Sequence, residues 1–415
     1  MAHKVVIVGA GFGGLSAAKA LAGQKNLDVT IIDKRNHHLF QPLLYQVATA
    51  ALSPADIATP IRAELTDKKN IQVLMAQVDG VNLKERTVSA GGEKHGYDYL
   101  ILACGSSHSY FGHDEWETFA PGLKTLEQAT EIRRRILLSF ELAEKEKNPE
   151  KRKALMSFAI IGAGPTGVEL AGSIAEIARV TFKKDFRNID TLQSEVYLVE
   201  AGPRILSSFE EKLSKLAHTD LTNMGVNILC GAKVTAVDSE GLSFGDKKLA
   251  SKTIIWAAGV APSSLGTKLG VEVDRGGRVI VRSDWSLPTH KEVFIIGDMS
   301  SFTENGRPLP ALAPVALQGG RFVARQILRD LNNKPREHFK YLDKGQMATI
   351  GRKKAILQFG SWKSSGFVAW IAWLLVHIYY LIGFKNKFFV LVSWSWSYLT
   401  FKKGARLIIN KEWRD

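Results

Sequence analysis

One pattern occurs twice in this chain and leaves few folds open to it: a short β-branched strand, a glycine turn of the form G-x-G-x-x-G, a helix, and a further strand ending in an acid. In the first copy Lys4-Val-Val-Ile-Val-Gly9 reads as a buried parallel strand, apolar and uninterrupted. Gly9-Ala-Gly11-Phe-Gly13-Gly14 follows, then the helix-like run Leu15 to Leu21, then a strand from Asp28 to Ile32 that ends at Asp33. The glycines differ in what they allow. Gly9 permits the tight turn, Gly11 lets a pyrophosphate approach the backbone, and Gly14 lets helix and strand pack closely. The pyrophosphate charge then sits at the helix N-terminus, where unpaired N–H groups point at it. Asp33 is placed to accept hydrogen bonds from a ribose. The bland alternative, a chance glycine turn, would need strand, helix and acid all to coincide.

The second copy runs from the strand Ser157-Phe-Ala-Ile-Ile161 through Gly162-Ala-Gly164-Pro-Thr-Gly167 and a helix over Val168 to Val180 to the strand Val196-Tyr-Leu-Val-Glu200. Pro165 suits the first helical turn, where no N–H is needed. Lys183 to Glu195 reads as an insertion, which sets Glu200 farther from the glycines than the usual ~20 residues. Glu200 is expected to accept both ribose hydroxyls of NADH and to repel the 2′-phosphate of NADPH, with Arg204 close enough to soften that preference. Thr253 to Gly259 closes this second unit. Val293-Phe-Ile-Ile-Gly-Asp298 looks like a strand returning to the first, with Asp298 at its carboxyl end, where ligands of such sheets lie. Asp298 is therefore a candidate for a flavin's ribityl hydroxyls, against the plainer reading of a turn cap. Two dinucleotide units in one chain suggest a tightly bound flavin in one and a passing nicotinamide in the other.

Composition narrows the partners. A formal net charge of +14 favours an acidic partner. No run of five Lys/Arg and no zinc-finger or RNP-like motif points to nucleic acid. Cys104 and Cys230 are the only cysteines, too far apart for a Cys-x-x-Cys pair, which fits a reducing compartment. Met1 to Lys4 leave no room for a secretory signal, so the chain start is expected to stay where it is made or to have been trimmed. His37 and His38 lack the spacing and companions of metal ligands and read as solvated or helix-lining; no metal is expected. Trp256 and Trp285 read as core, and Glu141 to Arg152 as a solvated helix face and linker.

Four segments together carry a family resemblance: His37-His-Leu-Phe-Gln-Pro-Leu-Leu-Tyr-Gln-Val-Ala48, Tyr110-Phe-Gly-His-Asp-Glu-Trp-Glu117, Gly162-Ala-Gly-Pro-Thr-Gly-Val-Glu169 and Leu381-Ile-Gly-Phe-Lys-Asn-Lys387. The chain resembles, nearly end to end, the type II (alternative, non-proton-pumping) NADH:quinone oxidoreductases of the two-dinucleotide-fold flavoprotein reductases. The resemblance implies noncovalent FAD along Gly9, Gly11, Phe12, Gly13, Gly14, Asp33 and Lys34, with Val78, Ala103 and Gly105 near its adenine and middle parts. Asp298 would hold the ribityl chain, and Ala316 and Leu317 would offer backbone N–H groups to the isoalloxazine. NADH would lie along Gly162, Gly164, Thr166, Gly167, Glu200 and Gly259. Glu169 would stand beside flavin and nicotinamide as a proton relay. The family's A-Q-x-A-x-Q-x-G stretch reads Ala313-Pro-Val-Ala-Leu-Gln318-Gly-Gly320 here. Gln318 is kept for the quinone, which would enter near it and the Gln41–Gln46 loop. Pro314 replaces the first glutamine and removes its side-chain donor. Cys104 stands where the family often has Thr and is assigned no chemistry.

The composition changes after about Gly360. Residues 361–415 hold six of the nine Trp, and eight Lys and Arg against two acids. Aromatic and basic residues together mark a membrane–water interface, here an anionic lipid surface. The plainer reading is a pair of core helices covering the flavin domain. Gly366 to Phe384 carries no formal charge and would reach ~28 Å as a helix, enough to span. Phe388 to Phe401 is too short to span, and Lys385, Lys387, Lys402, Lys403 and Arg406 flank it. By period, Val392-Ser-Trp-Ser-Trp-Ser-Tyr398 suggests a strand, whereas the resemblance implies two amphipathic helices lying in one leaflet.

The expected architecture is α/β: two Rossmann-like domains of the FAD/NAD(P) reductase fold with a C-terminal amphipathic membrane-anchoring segment. Residues 1–120 and 285–340 would bind FAD, 150–284 NADH, and 341–415 the membrane. The expected enzyme passes a hydride from NADH to FAD and two electrons to a membrane quinone. It would sit peripherally on the cytoplasmic face of the cell membrane, with a homodimer left open. The rivals are a sulfide:quinone or ferredoxin-type reductase of the same fold, and a membrane-tethered flavoprotein that senses NADH without turnover.

Overall fold

The computed structural model describes residues 2–400 and 403–409. They gather into two compact units, each built from separate stretches of chain. The first holds Met1–Leu39, Ala58–Ser107 and Val260–Lys344; the second holds Phe40–Ile57, His108–Gly259 and Gly345–Asp415. Phe401, Lys402 and residues 410–415 lie outside the described residues.

The first unit is organised by a five-stranded parallel sheet in the order Val293–Ile295, Tyr99–Leu102, His3–Val8, Leu27–Asp33, Ile71–Met75. The chain steps outward from His3–Val8 to Ile71–Met75, then returns to its other side. That reversal opens a crevice at the carboxyl ends of His3–Val8 and Tyr99–Leu102. Its inner strands are apolar on both faces toward their carboxyl ends, where both faces are covered. Val6, Val8, Leu100, Leu102, Val293 and Ile295 pack with Val88 and Ala90 of an antiparallel three-stranded sheet. Ile7 faces the other way, toward the helix Phe12–Leu21. Full burial of each such side chain stabilises by roughly 1.5–3 kcal/mol. A second helix, Ala313–Leu331, crosses the first where both are bare of side chains: a Cβ on Gly320 would fall 2.2 Å from the Gly13 carbonyl oxygen.

The second unit repeats the plan with four parallel strands in the order Val226–Cys230, Glu195–Glu200, Ser157–Ile161, Thr253–Trp256. Its glycine helix, Pro165–Glu176, runs into a π-helical turn, Ile177–Thr181. The expected insertion follows as irregular chain, tied down by Phe182 and Phe186 against Phe140 with ring centroids 4.9 and 5.9 Å away. Asp190 then caps a short 3-10 turn before the strand to Glu200. The extra residues lengthen the path without moving that strand off its parallel neighbour.

An antiparallel sheet, Gln346–Gly351, Lys354–Phe359 and Trp362–Ser365, lies directly on the Pro165–Glu176 helix. Contact is closest at Gly172, where a Cβ would meet the Ile350 carbonyl oxygen at 1.8 Å. Two helices follow, Gly366–Tyr380 and Phe384–Thr400. They match the two helices that the resemblance implies, and set aside the strand that period suggests and the single span that length allows. The alternating stretch Val392 to Tyr398 is helical, not a strand: Val390 and Trp394 are buried one turn apart while Trp396 is 61% exposed. The uncharged run from Gly366 does not continue as one helix. It breaks at Leu381, which is extended, and at Gly383, with φ +84°. Fifteen residues make ~22 Å of helix, short of the ~30 Å hydrocarbon core. Among the described residues no helix is long and apolar enough to cross a membrane.

Candidate functional site

The two glycine turns have the same geometry at the same place in their sheets. Gly9 (φ +97°) and Gly162 (φ +99°) hold left-handed backbone that a side chain would strain. A Cβ on Gly9 would also lie 2.5 Å from the Ala103 carbonyl oxygen, and one on Gly162 2.6 Å from the Ala258 amide nitrogen. Cβ atoms on Gly14 and Gly167 would collide with the carbonyl oxygens of Gly9 and Gly162, at 1.8 and 1.9 Å. Among the described residues a Cβ at Gly11 or Gly164 would meet nothing within 4 Å. Each turn is thus closed toward the sheet and open outward, and the helix behind it has no acid in its first turn. That form fits a dinucleotide pyrophosphate.

The strand-end acids also correspond. Asp33 accepts the Ala10 N–H at 2.6 Å and the Arg35 N–H at 2.8 Å. Glu200 accepts the Ala163 N–H and the Gly202 N–H, each at 2.7 Å. A carboxylate oxygen has two lone pairs, so each acid can brace its loop and still receive a ribose hydroxyl. Arg204, the cation near Glu200, directs its guanidinium to the carbonyls of Phe209 and Ser207 at 2.9 and 2.8 Å.

Around the first turn the structure gathers most of the residues singled out for FAD. Ala103 and Gly105 follow the strand beside His3–Val8, and Asp298 follows the next. Asp298 accepts the Ser106 hydroxyl at 2.5 Å. Ala316 packs against Gly13 and Gly297, but its N–H already goes to the Leu312 carbonyl at 3.2 Å inside its helix. Leu317 accepts the Ser16 hydroxyl. Val78 is half-buried against the sheet's apolar face, and Lys34 is exposed. In the second unit Thr166 is exposed in the first turn of its helix, and Gly259, with φ +74°, lies under the Phe111 ring. Burial pushes the Cys104 thiol up to about 12, and both cysteines are free thiols. His38 departs from its reading: it is 2% exposed, on the strand His37–Leu39, beside the first glycine turn.

Glu169 lies on the second glycine helix, half-buried beneath the C-terminal sheet. Burial pushes its carboxyl up to about 8, and the Thr349 N–H at 3.5 Å is too weak a contact to restore it. Gln318 pairs with the Leu342 backbone. Its amide donates to the Leu342 carbonyl at 2.9 Å and accepts the Leu342 N–H at 3.0 Å. Both polar ends therefore hold backbone.

The sequence reading missed a cluster in the second unit. Gln46, 5% exposed, accepts the Trp394 indole N–H at 2.7 Å and donates to the Tyr45 hydroxyl at 3.0 Å. Trp373 lies edge-on to Tyr45, and stacks on His377 with centroids 4.0 Å apart. Burial lowers His377 to about 4, so the ring is neutral near pH 7. The available signal was a glutamine and a tryptophan inside apolar segments, each needing a polar partner.

Comparison with known proteins shows what the chain resembles. Residues 3–320 match the family described as pyridine nucleotide-disulphide oxidoreductase. A Mycobacterium tuberculosis protein, type II NADH:quinone oxidoreductase Ndh, is 43% identical over 99% of this chain and 91% of its own. Among solved structures, NDH2 from Plasmodium falciparum in complex with NADH superposes with a TM-score of 0.88 at 20% identity, covering 99% of this chain and 100% of that one. The sulfide:quinone oxidoreductase of Aquifex aeolicus follows at 0.75 and 22%, covering 93% of this chain and 92% of that one. Those two structures establish the fold; the M. tuberculosis relative adds likeness in sequence over the full length.

Proposed function

This chain belongs to the type II NADH:quinone oxidoreductases, and on that premise we propose that it oxidises NADH through noncovalent FAD and reduces a membrane quinone without pumping protons. The observation that carries the reading is the pair of matching glycine cradles, one in each unit. Bound FAD supplies the group that takes a hydride from NADH and releases its two electrons to the quinone.

The chain's own residues bind, orient and hold protons. Gly9, Gly11, Phe12, Gly13, Gly14, Asp33 and Lys34 line the FAD side, with Val78, Ala103, Gly105, Asp298, Ala316 and Leu317 along its length. Gly162, Gly164, Thr166, Gly167, Glu200 and Gly259 line the NADH side. Glu200 meets the ribose hydroxyls, and Arg204 has its guanidinium committed to carbonyls rather than to a 2′-phosphate. Glu169 keeps a proton on its carboxyl near pH 7 and is the group we assign to deliver one of the two protons a quinone needs. Gln318 serves the quinone side as a brace for Leu342. The sulfide-oxidising alternative lacks support, because it needs a reactive cysteine pair and burial holds Cys104 protonated.

We assign the two tail helices to an anionic lipid surface on the cytoplasmic face. Phe367, Val368, Leu375 and Tyr379 of the first and Phe388 and Trp396 of the second are each more than half exposed. Exposed Lys385 lies beside them. Vesicle flotation tests this: binding to anionic vesicles that weakens on neutral ones is expected. Self-association through the same face, without vesicle binding, would replace lipid with a second copy. For the activity, anaerobic NADH should bleach the yellow protein, and a quinone should restore the colour. FAD-loaded protein that NADH does not reduce would sink the reading.

A further inference from the structure

The peptide between Ala10 and Gly11 is fixed from one side by a residue to which the reaction assigns no part. His38 Nδ1 lies 2.9 Å from the Ala10 carbonyl oxygen. A carbonyl only accepts, so Nδ1 carries the proton and the imidazole is the Nδ1–H tautomer. Its other nitrogen, Nε2, is buried with no hydrogen-bond partner among the described residues. The ring is neutral, because burial lowers its pKa against the opposing pull of the Ala10 contact; Lys19, Glu64 and Asp33 are the charges that face it.

The local sequence puts it there. His37–Leu39 pairs antiparallel with Ala58–Pro60, and alternation turns His38 inward between two partly exposed neighbours. The Phe12 ring meets it edge-on at 5.2 Å, so the imidazole has little freedom to swing away.

In a trans peptide the C=O and the next N–H point in opposite directions. Pinning the Ala10 carbonyl toward His38 therefore turns the Gly11 N–H the other way, to the open side of the turn. Asp33 holds the Ala10 N–H at 2.6 Å, so the two peptides flanking Ala10 are each fixed by a side chain. The second unit contains the control. There the equivalent carbonyl, on Ala163, accepts the backbone N–H of Leu206 at 2.8 Å, and Glu200 holds the Ala163 N–H. The same two restraints recur, with a backbone amide in the place of the imidazole.

We propose that His38 is a positioning residue for FAD: its Nδ1–H sets the Ala10–Gly11 peptide so that the first glycine turn presents its amide to the cofactor's pyrophosphate. This rests on the reading of that turn as the FAD site.

The test uses the full chain, stripped of FAD and retitrated with it. Asn puts an amide N–H where His Nδ1 stands; Gln puts one near Nε2. H38N is therefore expected to bind FAD within about threefold of wild type, and H38Q and H38L about tenfold or more weaker, the scale of one lost hydrogen bond with a stranded carbonyl. NADH affinity should stay at the wild-type value in all three once FAD is saturating, since a backbone amide restrains the second turn. Equal FAD affinities for H38N and H38Q overturn the proposal, even if H38L fails to fold. Wild-type protein that takes up no FAD overturns the cofactor reading and this inference with it.

Discussion

In the first unit the loop alanine is braced by an aspartate and a histidine, both side chains. In the second it is braced by a glutamate and a backbone amide. The helices behind the turns are covered differently too. Phe12–Leu21 meets another helix, glycine against glycine at Gly13 and Gly320. Pro165–Glu176 meets a sheet, with Gly172 against the Ile350 carbonyl. One backbone geometry is thus reached through unlike supports, and the turn itself is the invariant. The first cradle depends on more side chains and so offers more single substitutions that loosen it.

The largest effects should come from the shared part. Gly14→Ala and Gly167→Ala each drive a methyl into a carbonyl at less than 2 Å. Overpacking of this kind costs about 1–3 kcal/mol or more, a loss of roughly tenfold to a hundredfold. G14A is expected to purify with little flavin, whereas G167A stays yellow and needs much more NADH. If G167A loses its colour and keeps its NADH affinity, the assignment of the two cradles is reversed.

Glu200→Gln should act next, and only on the second cradle. It removes the negative charge assigned above to the ribose while keeping an acceptor for the Ala163 N–H. The NADH-over-NADPH preference in kcat/KM should narrow by about tenfold, the value of one charge-assisted contact. An unchanged ratio would place nucleotide choice elsewhere.

Glu169→Gln should alter a pH profile. The folded carboxyl is raised to about 8 from an ordinary 4.5, so folding takes up a proton between those values. Its contribution to stability is complete below pH 4.5 and is lost as pH rises through about 8. Wild type should therefore lose stability relative to E169Q across that window in urea titrations, and quinone-dependent turnover should lose a limb near pH 8 in the variant. Parallel stability curves for the two proteins would refute the shift.

The smallest effect belongs to Trp394→Phe, which leaves Gln46 one donor short. About 1 kcal/mol of stability should go, with FAD and NADH binding unchanged.

Much of the fold was legible because the glycine motifs are local: the geometry of each turn follows from positions within a single strand–turn–helix. Asp33 and Glu200 were legible for the same reason, lying at the end of the adjacent strand. What escaped depends on partners distant in sequence. Nothing nearby in sequence pointed to Leu342 as the backbone partner of Gln318. Gln46 and Trp394 are 348 residues apart. By period alone the Val392–Tyr398 stretch suggested a strand, because serine and tryptophan alternate there, whereas the resemblance implied the helix that forms. What decided its form was which tryptophan found a buried partner: Trp394 faces inward and Trp396 outward. His38 was read as solvated or helix-lining because the sequence around it carries no sign of the carbonyl waiting beside it.

The route of the chain through the first unit governs the order in which the protein can be made. Its sheet gains the edge strand Val293–Ile295 and its helix layer gains Ala313–Leu331 only near the end of synthesis. At ribosomal rates of about 5–20 residues per second, the amino-terminal glycine turn waits on the order of tens of seconds for the helix that crosses it at Gly320. The second cradle's parallel sheet is complete by Trp256, although the Gln346–Gly351 strand that covers its helix comes later still. Cofactor capture by the nascent chain is therefore a late event. A translation product arrested before Val293 should emerge without flavin, and one arrested beyond Leu331 should be able to retain it.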